Sequence, residues 1–415
     1  MMELEQRLQG YRCLECGKLQ PPEPFPYTCG SCGANLDAVY NYDVIGRHWD
    51  RPRLAGTRDR SLWRYAPLLP VIEPLAGCSI QVGGTPLVAV PRLADEIGIT
   101  NLWIKDDTRN PSGSLKDRAS EVGLCHAAEA GLETLVTAST GNAAASLAAL
   151  AAYHGRQAVI LAPADAPPAK LTQILQYGAT LCPVDGSYDD AFDLATVVAG
   201  HFGWYLRSTG INPVMSEGKK TVALEIAEQL DWQVPDFIFV PVGDGCIIGG
   251  VFKGFFDLLQ LGWIDRLPRI VAVQAEGSAA IVRALEANSE IVAVAANTVA
   301  DSIAVDLPRD GLKALRAVRE SDGFGIVVSD EAILQAQKKL AETTGIFVEP
   351  AAAAAFAGLL RAREGDLIKS GESAVVLATG SGLKDIAAAQ RILSIPAAIR
   401  PDIESFVQFI ETTSR

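Results

Sequence analysis

Asn110-Pro111-Ser112-Gly113-Ser114-Leu115-Lys116-Asp117-Arg118 is a turn-rich run that opens a helical pattern, with a lysine just inside the first turn. The positive end of a helix dipole disfavours an ammonium, so this placement predicts an amine shifted toward its neutral, nucleophilic form. Alone, a lysine there also reads as a surface charge. Three further turn sequences stand where strands pass into helices, the edge at which open α/β sheets bind ligands. They are Ala138-Ser139-Thr140-Gly141-Asn142, Pro241-Val242-Gly243-Asp244-Gly245-Cys246-Ile247 and Thr379-Gly380-Ser381-Gly382. The first offers amides and hydroxyls for a carboxylate, or simply a capped helix start. Gly243 to Ile247 offers amides that can cradle a phosphate. Thr379 offers a hydroxyl that can bond a ring nitrogen without ionising it.

Outward from these turns, short apolar runs alternate with amphipathic stretches, the pattern of a parallel, doubly wound α/β protein. Buried strands are expected at Thr134–Ala138, Ala158–Ala162, Thr180–Val184, Phe237–Val242, Ile270–Ala275 and Ala374–Ala378. Helices are expected at Tyr188–His201, Gly218–Leu230, Ser329–Thr344 and Ala351–Arg363, the first started by Ser187. The alanine run at 351–355 reads as a tightly packed helix.

The first 45 residues stand apart. Cys13-x-x-Cys16 and Cys29-x-x-Cys32 are separated by twelve residues that include Pro21, Pro22, Pro24 and Pro26. Two such pairs can converge on one tetrahedral Zn²⁺, and a segment with so little core of its own needs that staple. Four thiolates leave no open position, so the metal is structural. The chain has 415 residues, 49% hydrophobic and 20% charged, enough for two or three packed units. Its net charge of −13 repels nucleic acid and anionic membrane, and no apolar run is long enough to span a bilayer. With eight cysteines and no secretory pattern at the N-terminus, a reducing, cytoplasmic setting is expected.

Taken in order, these motifs resemble threonine synthase and, more broadly, the fold-type-II family of pyridoxal-phosphate enzymes, over about residues 80 to 395. The resemblance implies two doubly wound open-sheet domains behind the zinc-ribbon-like segment at 1–45. Residues 46–118 and 212–395 are expected to form the large cofactor domain, 119–211 a smaller mobile one, and 396–415 a C-terminal helix. It implies that Lys116 holds the cofactor as a Schiff base and acts as the general base. It places Asn142 at the cofactor's 3′ oxygen, Gly243, Asp244, Gly245, Cys246 and Ile247 at its phosphate, and Thr379 at its ring nitrogen. Ser139, Thr140 and Gly141, with Asn142, are implied to hold the substrate carboxylate. A homodimer acting on a small amino acid is likewise implied. The stretches Glu217-Gly218-Lys219-Lys220-Thr221 and Phe347-Val348-Glu349-Pro350-Ala351 also match.

The match departs where the family holds a substrate phosphate. Ala143, Thr209-Gly210 and Met215 stand in place of threonine, Asn-Ser and arginine, and Asp244 in place of asparagine. Losing an arginine and gaining a carboxylate disfavours a phosphate dianion. That keeps open a β-elimination or β-replacement on another amino acid, as in a dehydratase, an ammonia-lyase or a cysteate-synthase-like enzyme. A silent amino-acid sensor is the alternative outside catalysis, against which the intact Lys116 argues. Asp244, Glu276 and Asp301, if they converge, would make the pocket acidic. Arg207, Lys219 and Lys220 are the candidates to restore positive charge. Cys246 reads as a packing residue.

Overall fold

A computed structural model of the chain describes residues 3–23, 25–75, 80–166 and 168–413, so Pro24 and both extreme termini lie outside it. Three sheets organise the described residues. β1 (Leu8–Cys13), β2 (Leu19–Gln20) and β3 (Leu36–Tyr40) form a small antiparallel sheet ordered β2-β1-β3. A six-stranded sheet contains β4 (Leu87–Ala89) and β5 (Asn101–Asp106). A four-stranded sheet is built from β6 (Thr134–Ala138), β7 (Gln157–Pro163), β8 (Thr180–Val184) and β9 (Tyr205–Leu206), in the order β8-β7-β6-β9. The chain then returns to the larger sheet with β10 (Phe237–Pro241), β11 (Arg269–Ala275), β12 (Phe324–Val328) and β13 (Ser373–Ala378), whose order is β12-β11-β10-β13-β5-β4.

All pairings in the four-stranded sheet are parallel, whereas β4 runs antiparallel to β5 and makes the larger sheet mixed. The sequence pattern pointed to parallel strands throughout. A three-residue edge strand needs no crossover helix, so it leaves no periodic signature.

Alternation of side chains explains why this sheet is covered on both faces. Ile238, Val240, Ile270, Ala272, Val375 and Leu377 enter one core, while Phe237, Phe239, Val271, Val273, Ala374 and Val376 enter the other. The helices that matter here are α1 (Lys116–Glu129), α2 (Asn142–Tyr153), α3 (Tyr188–Phe202), α4 (Val214–Gln229), α5 (Cys246–Gln260) and α6 (Pro350–Glu364). α3 begins with a capping box between Ser187 and Asp190. α4 starts four residues earlier than the pattern suggested, because the Asn212 side chain accepts from the Val214 amide at 2.9 Å. In α6, Ala351 to Ala355 are all buried, and small side chains let the helix lie close against the sheet. The C-terminal helix spans Ile403–Thr413, with Ser414 and Arg415 outside the described residues.

Candidate active site

The turn before α1 is built by its own side chains. The Asn110 side chain accepts from the Gly83 amide at 2.9 Å and donates to the Asp107 carbonyl at 3.1 Å. Asp117 accepts from the Ser112 amide at 2.7 Å and from its hydroxyl, while burial pushes the Asp117 carboxyl up. Arg118 is fully buried and donates to Asp107 at 2.7 and 2.9 Å and to Glu225 at 2.6 and 2.8 Å. Lys105 joins Glu225 at 2.7 Å. The motif residues flanking Lys116 are thus the frame that fixes the first turn.

The loop after β13 is stitched to this turn. The Leu115 amide donates to the Thr379 carbonyl at 2.9 Å and the Ser381 amide to the Gly113 carbonyl at 3.0 Å. Lys384 reaches the Ser112 carbonyl at 2.7 Å. Consequently Lys116 and Thr379 line one pocket together with Asn142, Ile247, Ser302 and Glu349. A contiguous hollow of about 350 Å³ is lined by Lys116, Thr209, Gly243, Asp244, Gly245, Cys246 and Ile247. Among the described residues, the N–H groups of Gly243, Asp244 and Gly245 meet no acceptor, and no side chain caps α5. Gly245 has φ +101°, and a Cβ there would stand 2.5 Å from the Asp310 carbonyl oxygen. Free amides at the start of a long helix form an anion cradle.

The Lys116 amine is brought down to about 8. Burial is the main cause, followed by the positive charge of Lys219, while Cys246 opposes and Arg207 adds to the effect. Asn142 donates to both oxygens of Glu349 at 2.8 and 3.0 Å, and burial raises the Glu349 carboxyl. Ser139, Thr140 and Gly141 lie half-buried between β6 and α2, outside the two hollows, and the Gly141 amide donates to the Ser139 hydroxyl at 3.2 Å.

Of the three acids proposed to converge, only Asp244 lines the pocket. Its carboxylate accepts from the Arg309 amide at 3.2 Å, so it caps a neighbouring loop. Glu276 and Asp301 are exposed and line neither hollow. Met215 is in the core beside Tyr205, with its methyl 2.7 Å from where a Cβ on Gly123 would stand. Lys220 pairs with Glu217 and, at 2.6 Å, with Asp257, and so supplies no charge to the pocket. Glu349 and Ser302 had no assigned role in the sequence reading. Glu349 precedes Pro350 at the start of α6 and makes no side-chain cap; its carboxylate instead accepts from Asn142, 207 positions away.

At the N-terminus the four thiols Cys13, Cys16, Cys29 and Cys32 lie within 4.8 Å of one another. Each pair sits on a tight turn, with the Gly17 amide donating to the Cys13 carbonyl and the Gly33 amide to that of Cys29. The segment docks through Tyr40 to Glu217 at 2.6 Å and through Asn35 to the Gly210 carbonyl at 2.7 Å and Asp310 at 2.9 Å.

Comparison with known proteins agrees with this geometry. A family model described as pyridoxal-phosphate dependent enzyme matches residues 78–380. The chain is 40% identical over 395 residues to threonine synthase of Methanocaldococcus jannaschii, covering 94% of this chain and 97% of the relative. It is 40% identical over 403 residues to that of Methanosarcina acetivorans, covering 96% and 98%. Diaminopropionate ammonia lyase from Escherichia coli shares the fold, with TM-score 0.65 and 20% identity over 76% of this chain and 88% of that one. A rigid frame around a buried amine, beside an open anion cradle, suits such a cofactor, and this chain belongs to the family of pyridoxal-phosphate dependent enzymes.

Proposed function

We propose that this chain converts a phosphorylated amino acid, with the reaction of O-phosphohomoserine and water to threonine and phosphate as its nearest activity. The observation that carries the reading is the Lys116 amine, held near neutrality in a pocket between the α5 amides and the Thr379 hydroxyl. The identity to threonine synthases over nearly the whole chain supports the substrate class. When bound, pyridoxal phosphate supplies an aldehyde that captures amines and a ring that withdraws electrons from the substrate's α carbon.

In this reading Lys116 carries the cofactor, then removes and returns protons at the α carbon. Gly243 to Ile247 seat the phosphate. Asn142, oriented by Glu349, faces the 3′ oxygen, and Thr379 bonds the ring nitrogen while leaving it unprotonated, which suits elimination and replacement over transamination. Ser139, Thr140 and Gly141 bind the substrate carboxylate once the Gly141 amide leaves the Ser139 hydroxyl. Residues 119–211, which contain the four-stranded sheet, form the mobile domain that closes on substrate. The protein acts in the cytoplasm as a homodimer. Threonine and phosphate should accumulate in equal amounts from O-phosphohomoserine. Aminoacrylate-type products from serine or diaminopropionate, with none from O-phosphohomoserine, would place the chain with the β-eliminating enzymes instead.

Cofactor uptake by the apo form should speed up as pH rises toward about 8 and level off above it, since only the neutral amine adds to the aldehyde. Stopped-flow absorbance would show this. A rate still rising toward pH 10 would mean that Lys116 keeps an ordinary lysine pKa.

Zinc at Cys13, Cys16, Cys29 and Cys32 would be structural, and metal analysis should find one equivalent per chain. Chelation should make the thiol-bearing turns at 13–18 and 29–35 sensitive to protease, because the metal would tie these turns together while β1 and β3 stay packed in the main core. A metal-free preparation whose N-terminal segment resists cleavage would exclude the site.

A further inference from the structure

Among the described residues, the hydrogen-bond partners of Arg207 and Lys219, both fully buried, include no carboxylate. Arg207, just after β9, is fully buried and donates to the Ser120 hydroxyl at 3.0 and 3.2 Å, the Thr209 hydroxyl at 3.2 Å and the Lys116 carbonyl at 3.4 Å. All of these acceptors are neutral. Lys219, on α4, is fully buried, and its bonded partner among the described residues is the Cys246 sulfur at 2.7 Å. Sulfur is a weak acceptor. The nearest acids are occupied elsewhere. Asp117 accepts from Ser112, and Asp310 accepts from Asn35 and Ser216 and pairs with Lys313 at 3.5 Å.

Other buried cations are treated differently. Lys105 has Glu225, Lys220 has Glu217 and Asp257, Lys253 has Asp257, and Arg118 has Asp107 and Glu225. Arg7 is surrounded by main-chain carbonyls of residues 66–72. A buried charge left unpaired is costly. Arg207 and Lys219, left without an acid, have an anion to bring in.

Their position says where. Thr209 and Cys246, the residues they touch, line the hollow with Lys116 at the unoccupied amides of α5. We propose that Arg207 and Lys219 form a buried cationic seat for a phosphate dianion at this end of the pocket. This rests on the pyridoxal-phosphate reading of the site and deepens it. The phosphate belongs either to the cofactor or to the substrate, and affinity measurements separate the two.

The test uses full-length protein, apo and reconstituted, with Lys219→Met and Arg207→Met, and Lys219→Gln as a milder variant should the first fail to fold. Removing an uncompensated cation should leave the thermal midpoint of the apo protein unchanged or raise it. If the seat serves the cofactor, affinity for pyridoxal phosphate should fall about tenfold or more, while affinity for unphosphorylated pyridoxal stays constant. If it serves the substrate, cofactor affinity is kept and inorganic phosphate, added as a competitor, inhibits at about tenfold higher concentration. Variants that lose apo stability, or that keep both phosphate affinities, overturn the proposal. Wild-type protein that takes up no pyridoxal phosphate at all overturns the underlying site reading instead.

Discussion

Lys116→Ala should remain folded and lose turnover by about 10³-fold or more, since it removes both the covalent attachment and the proton carrier. The loss of the amine is tolerable to the fold because Lys116 makes no ion pair among the described residues, and its charged form is already disfavoured by burial, Lys219 and Arg207. Lys116→Arg separates charge from nucleophilicity. A guanidinium keeps the positive charge but does not add to an aldehyde at neutral pH, so the arginine variant should be as inactive as the alanine one. Steady-state assays and far-UV circular dichroism on both proteins check this. Activity in the arginine variant within about tenfold of wild type would mean that charge alone is what the reaction needs.

Arg118→Met should destabilise the protein by about 3–5 kcal/mol, because it strands Asp107 and part of Glu225 as buried, unpaired carboxylates. Lys105 still answers Glu225, which keeps the loss below that of a wholly orphaned pair. Adding Asp107→Asn to the same protein should recover part of the stability, since the remaining amide can be buried neutral. Denaturant midpoints of the two variants measure it. The same cluster sets a pH dependence. Burial pushes the Glu225 carboxyl up, but Arg118 and then Lys105 overcome it and hold the group well below the usual carboxylate range. A group lowered in the folded state stabilises fully above its unfolded value of about 4.3, and that stability is lost as pH falls further. Wild type should therefore weaken steeply in acid. Arg118→Met should show a shallower slope.

What the amino-acid sequence made legible follows from range. Thr134–Ala138 and Thr180–Val184 are strands at the expected residues, since apolar, β-branched runs bounded by turn residues are a local signal. The two-residue β9 and three-residue β4 are too short to carry a period, β5 (Asn101–Asp106) mixes polar and apolar residues, and the apolar run of β12 went unassigned. The four turns around the pocket could be found because each has its own composition at a strand end. What they bring together could not, for it depends on contacts between distant segments. Glu349 holds Asn142 from 207 positions away, and Lys220 is consumed by Glu217 and Asp257 while its neighbour Lys219 is left without a carboxylate. Adjacent lysines on one helix look alike in a sequence and differ only in which acids the fold puts beside them. The acidic pocket expected from Asp244, Glu276 and Asp301 failed for the same reason, as Glu276 and Asp301 line neither hollow.

The account as a whole depends on one covalent bond, and peptide mapping after borohydride reduction tests it. Protein reconstituted with pyridoxal phosphate should lose its visible absorbance on reduction and carry a single phosphopyridoxyl group on the peptide containing Lys116. A label distributed over surface lysines, or one found on Lys219 with Lys116 unmodified, would contradict the assignment.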